Sequence, residues 1–157
     1  MLCRRLIVTL YVIAVAVACG ENHAVPDTAN DARRETVLEA VHHLITVAEA
    51  GDIEGYLGCL TSDAVMMYGG RPAFSGRDSV RPFITAFFAQ YDFVFGPWES
   101  KEIVVTDGWA FHRYEGIATL VPKDGGEPIV LDRKYIDIMR YENGSWKLAR
   151  HIYNLNN

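Results

Sequence analysis

KYIDIMRYENGSWKLARHIYN, residues 134–154, holds two strand-like halves around a hairpin signal. Tyr135, Asp137, Met139 and Tyr141 alternate with Ile136, Ile138 and Arg140. Glu142-Asn143-Gly144-Ser145 then supplies an Asn-Gly turn, whose positive φ angles suit a tight hairpin. On the return, Trp146, Leu148, Arg150 and Ile152 continue the alternation as one face. Neither face of the first half is cleanly apolar: Asp137 shares a side with Tyr135 and Met139, and Arg140 shares one with two isoleucines. The pair reads as the last hairpin of an antiparallel sheet whose two faces are both at least partly covered.

Working outward from it, strand patterns fill the second half of the chain: 93–105, interrupted at Gly96-Pro97, then 109–121, 129–141 and 145–153. Asp107-Gly108, Lys123-Asp124-Gly125-Gly126 and Asn143-Gly144 connect them. Helices come first. Val37, Val41, Leu44 and Ala48 recur at helical spacing over 31–50, with Leu38 and Ile45 widening the stripe and Gly51 as the stop. Asp52 is the N-cap of a short helix over 53–60, and a strand over 64–68 follows the turn Thr61-Ser62-Asp63. A third helix over 77–90 carries Val80, Phe83, Ile84, Phe87 and Phe88 on one side. Helices first and hairpin-linked strands last define an α+β domain, not an alternating α/β one.

A chain of 157 residues, half of them hydrophobic, suffices for one domain with a real core. The net charge of −5 leaves no basic stripe for a phosphate backbone, which argues against nucleic acid as a partner. Residues 1–18 read as an export signal: Arg4 and Arg5 precede the apolar run LIVTLYVIAVAVA, which is too short for a permanent membrane span. Ala16-Val17-Ala18-Cys19-Gly20 resembles a bacterial lipobox with alanine where leucine is usual, so Cys19 is the expected lipidation site, with plain cleavage after Ala18 as the alternative. Residues 19–32 then form a lipid-attachment cysteine and flexible leash, holding the protein in the cell envelope. Cys59, the one thiol left in the mature chain, reads as a small buried hydrophobe. His42 and His43 are neighbours about 100° apart around a helix, the wrong geometry for one metal. No metal or cofactor motif is present.

Four phrases carry a resemblance: Tyr68-Gly69-Gly70-Arg71-Pro72 with Ser75-Gly76-Arg77, then Asp107-Gly108-Trp109-Ala110, then Gly144-Ser145-Trp146-Lys147-Leu148, and Ile152-Tyr153-Asn154. Together with the order of elements, they resemble the SnoaL-like branch of the nuclear-transport-factor-2-like superfamily, from Arg33 to Asn154, and set the domain as 33–157. The resemblance implies a cone: helices packed in a strongly bent antiparallel sheet, a pocket at the open end, and a convex face that in many relatives packs on a second subunit. Relatives include ketosteroid isomerases, polyketide cyclases and dehydratases, so fold alone licenses no reaction.

Alternation supplies the candidate pocket residues. One side of 109–121 carries Ala110, His112, Tyr114, Gly116, Ala118 and Leu120, assigned inward; on 129–141 the inward set is Leu131, Arg133, Tyr135, Asp137 and Met139. His112, Tyr114, Tyr135 and Asp137 then converge on the cavity, with Arg133 beside them and Tyr68 and Arg71 at its mouth. A carboxylate desolvated among aromatics, with a histidine, suits proton transfer next to a carbonyl, which makes Asp137 and His112 the candidate catalytic pair. Two readings stand side by side: Asp137 as that base, or Asp137 paired with Arg133 or Arg150 across the hairpin. The matching functions are an isomerase, cyclase or dehydratase acting on a small apolar, carbonyl-bearing molecule, or a non-catalytic module that binds or assembles as a homodimer.

Overall fold

The computed structural model describes residues 28–156. The export run 1–18 and Cys19 lie outside them. Three helices, α1 (Thr28–Glu49), α2 (Ile53–Gly58) and α3 (Arg77–Gln90), pack on six strands: β1 (Leu60–Tyr68), β2 (Phe74–Ser75), β3 (Tyr91–Val105), β4 (Trp109–Pro122), β5 (Ile129–Glu142) and β6 (Ser145–Leu155). Residues 28–32, read above as part of the leash, are helical.

The helices form for the reasons their spacing gives. Val37, Val41, Leu44, Val47 and Ala48 make the buried stripe of α1. Gly51 ends it at φ +65°, and the Asp52 side chain accepts a 2.9 Å hydrogen bond from the Gly55 amide to cap α2. On α3, Val80, Ile84 and Phe88 are buried, whereas Phe83 and Phe87 stay half-buried because they face a cavity. Cys59 is buried, and burial pushes its thiol pKa up.

Strand order is β2-β1-β6-β5-β4-β3. The hairpins β3–β4, β4–β5 and β5–β6 are antiparallel, with Asn143 and Gly144 at φ 52° and 83° in the last turn. β1 lies parallel to β6, so the sheet is mixed and not wholly antiparallel. β1 starts at Leu60 instead of 64 and takes in 61–63, read as a turn, where its register against β6 shifts between Leu60 and Val65.

Two departures from simple alternation shape the site. In β3 the register shifts between Phe95 and Trp98, across Gly96-Pro97; Glu49 at the end of α1 accepts a 2.8 Å bond from the Phe95 amide there. In β6, Ile138 pairs with Arg150 but its neighbour Met139 pairs with Leu148, so Ala149 is an extra residue. Leu148 and Ala149 are both buried as a result. Beyond this bulge the alternation inverts: Arg150 and Ile152 leave the face of Trp146 and Leu148, and His151 and Tyr153 join it.

Candidate active site

The sheet's inner face and the helices enclose an apolar cavity of about 690 Å³, its open mouth included. α1, α2 and α3 supply aliphatic and aromatic walls, and β1, β4, β5 and β6 supply the polar groups: Tyr68, Tyr114, Arg133, Tyr135, His151 and Tyr153. The alternation assigned to β4 and β5 holds, since Ala110, His112, Tyr114, Tyr135, Asp137 and Met139 are all buried on the inner side.

Asp137 does not reach the cavity. It is wholly buried behind His151, whose Nδ1 lies 2.6 Å from Asp137 Oδ1, and it accepts a 3.0 Å bond from the Tyr114 hydroxyl at Oδ2. It pairs with neither Arg133 nor Arg150: Arg133 lies over Tyr153, and Arg150 binds Asp63 on β1. An ionised carboxylate only accepts, so Nδ1 of His151 carries the hydrogen and Nε2 is the nitrogen left to meet whatever fills the cavity. Burial, and then the adjacent Asp137 charge, hold the Tyr114 pKa well above its ordinary value, so Tyr114 remains a donor.

His112 is not beside the ligand space either. It stacks on Tyr114 at 4.6 Å, faces Trp98, and its Nε2 meets Ser100 Oγ at 3.0 Å. It is directly opposite Asp137 in the strand register, with β5 separating it from His151, and burial lowers its pKa. Arg71, placed at the mouth by sequence, is exposed, its guanidinium 5.0 Å from the ring centre of the lining residue Phe83, and does not itself line the cavity. Tyr68, placed at the mouth by sequence, is 9% exposed and lines the interior. Burial keeps its pKa well above the tyrosine value, and its ring centre is 5.8 Å from that of His151.

The residue that sequence reading missed is His151. Carrying Trp146, Leu148, Arg150 and Ile152 as one face sends His151 outward. The available signal was Arg150, a charge poorly suited to that apolar face, next to the small Ala149 where a bulge can fit. Tyr56, Phe95 and Tyr153 were missed as lining residues too. Among the described residues, no group of three or more His, Cys, Asp or Glu is placed to hold a metal.

A mixed sheet packed by helices around an apolar cavity is the NTF2-like cone, and solved structures bear this out. A ketosteroid isomerase-like protein from Erwinia carotovora atroseptica SCRI1043 is 27% identical, with a TM-score of 0.69 over 78% of this chain and 95% of that one. An NTF2-like protein with a cystatin-like fold from Novosphingobium aromaticivorans is 18% identical, with a TM-score of 0.65 over 87% of this chain and 92% of that one. A hexachlorocyclohexane dehydrochlorinase type 2 is 12% identical, with a TM-score of 0.68 over 83% and 90%. Comparison with curated proteins gives no match. The family model for the SnoaL-like domain matches residues 41–151, and the chain belongs to that family.

Proposed function

We propose that this chain binds a small apolar, carbonyl-bearing molecule in the cavity and moves a proton at a carbon next to the carbonyl, with His151 as general base. The observation that carries the reading is the 2.6 Å His151–Asp137 bond, made by a histidine that lines a largely aromatic and aliphatic cavity to a carboxylate buried behind it. Asp137 fixes the ring and its tautomer and stabilises the imidazolium formed when Nε2 takes the proton. The enolate oxygen that develops is met by a neutral tyrosine hydroxyl; Tyr68, its ring beside that of His151 and held protonated by burial, is the candidate. Returning the proton to another carbon isomerises the substrate, and expelling a β-hydroxyl dehydrates it; one base serves either outcome. Asp137 thus becomes a positioning residue, and His112 leaves the catalytic set.

The test is incubation in D₂O with a panel of aryl ketones and β-hydroxy ketones, read by NMR. Wild type is expected to exchange deuterium into the carbon next to the carbonyl of those members that bind, and His151→Gln to lower that rate at least ~100-fold. Exchange that survives His151→Gln, or binding with no exchange in wild type, sinks the proposal.

Two wider readings join it. Phe111, Ile136, Ile138 and Ile152 are half-buried on the outer face of the sheet, with Phe111 opposite Ile138 and Ile136 opposite Ile152, which supports a homodimer through that face. The N-terminal pattern supports export and lipidation at Cys19. Labelling cells with radioactive palmitate should mark the wild-type chain and leave Cys19→Ala unlabelled; equal labelling would rule the anchor out.

A further inference from the structure

The polar end of the cavity away from His151 has a chemistry of its own. Arg133 lines the cavity, no lining residue is acidic, and Arg133 pairs with no carboxylate among the described residues. Its guanidinium lies flat over Tyr153, 4.1 Å from the ring centre. Its buried Nε has no hydrogen-bond partner, and neither has the buried hydroxyl of Tyr135, two residues along the same face. Burial pushes the Tyr135 pKa up to about 12, with the nearby guanidinium pulling the other way, so the hydroxyl stays a donor. Of the other described arginines, Arg34, Arg81, Arg113, Arg140 and Arg150 meet acidic side chains, and Arg33, Arg71 and Arg77, which do not, lie outside the cavity lining. Leaving the buried Nε of a half-buried guanidinium and a buried hydroxyl with no acceptor but each other is unfavourable, and a planar fork of donors beside a second donor matches a carboxylate.

We infer that the cavity's ligand is an apolar carboxylate, its anionic group held by Arg133 and the Tyr135 hydroxyl and its reacting carbon presented to His151. The inference rests on the cavity being the ligand site, as proposed above, and names the class of ligand. The strand register sets the spacing. Asp137 pairs with His151 and Tyr135 with Tyr153, so Arg133 stands four residues along β5 from the level of His151. At the usual rise per residue that is about 13 Å between Cα positions. Both side chains lean into the cavity, which leaves room for a ring or short chain between the carboxylate and the acidic C–H. Aromatic walls at this level, including Phe95 at 5.9 Å from Tyr135, suit a flat body.

The test uses two matched probes, naphthalene-2-carboxylate and its neutral analogue 2-naphthylmethanol, titrated by calorimetry into the wild-type chain, Arg133→Met and Tyr135→Phe. Wild type is expected to prefer the carboxylate by roughly tenfold or more, the scale of one charge-assisted hydrogen-bond pair. Arg133→Met should remove that preference and keep the alcohol's affinity, which also reports that the variant has folded. Tyr135→Phe, a smaller change, should reduce carboxylate binding a few-fold and leave the alcohol unchanged. Equal binding of both probes to wild type overturns the inference alone. A preference retained in Arg133→Met also overturns it, by assigning the anion to His151. If neither probe binds, the inference falls together with the reading of the cavity as a ligand site, whereas loss of exchange in D₂O bears on His151 only.

Discussion

Asp137 sits on the inner face where alternation put it, yet it lies behind another residue, His151. Its two oxygens are occupied by His151 and Tyr114, so substitutions at this position separate two roles. Asp137→Asn keeps the shape and can still accept from His151, while Tyr114 can turn its hydroxyl to accept; melting should change by less than about 1 kcal/mol while exchange in D₂O falls sharply. Asp137→Ala strands two buried donors and should cost about 2–5 kcal/mol in chemical denaturation. A variant pair with equal stability would show that Asp137 carries no buried network. His112 gives a pH signature. Burial lowers its pKa from 6.5, so the unfolded chain binds a proton more readily than the folded one. Its contribution to stability is therefore complete above pH 6.5 and is lost as pH falls from there through the lowered folded value. Thermal melts of wild type minus His112→Gln between pH 7.5 and 5 should show this difference shrinking on acidification; a flat difference would contradict it. At this scale the sequence disclosed which side chains of β4 and β5 point inward, because period two survives there. It did not disclose which of them touch ligand space, because only packing sets His112 against Trp98, Tyr114 and Ser100 and sets Asp137 against His151.

The elements owe their legibility to regular spacing and lose it at bulges. α1 and α3 follow their apolar stripes, and the Asn143-Gly144 turn fixes the register of β5 against the first part of β6. One extra residue, Ala149, then reverses every side chain after it, and that reversal puts the histidine in the cavity. Sequence rules favour uninterrupted alternation, so the bulge was invisible except through the misfit of Arg150. The β3 irregularity has a counterpart in Gly116. A Cβ there would stand 2.7 Å from Trp98 Cβ and 3.3 Å from its Cα, so the glycine admits Trp98 of the neighbouring strand. Gly116→Val should destabilise the fold by roughly 1–3 kcal/mol by denaturant titration, since the strand backbone cannot yield as a flexible side chain would. A neutral result would show that the Gly96-Pro97 segment moves freely.

At the scale of the molecule, the class and layering were readable because helical periods precede strand periods without mixing. The parallel contact was not, since nothing local in 60–68 says which strand it will join. The half-buried isoleucines of the outer face lead to a prediction of assembly: Ile136→Glu should turn a dimer into a monomer in sedimentation velocity with little change in melting temperature. A wild-type chain that sediments as a monomer at every concentration rejects the interface. The β1–β6 pairing also sets an order of events in synthesis. β1 is made early but its neighbour on that side is the last strand, and joining strands so far apart in sequence is entropically slow. Until residues 145–155 emerge, β1 lacks that neighbour, His151 does not exist and the cavity has no floor. The step that locks the sheet is therefore the step that brings His151 to Asp137, and a chain ending one strand short would lose the sheet and the candidate site together.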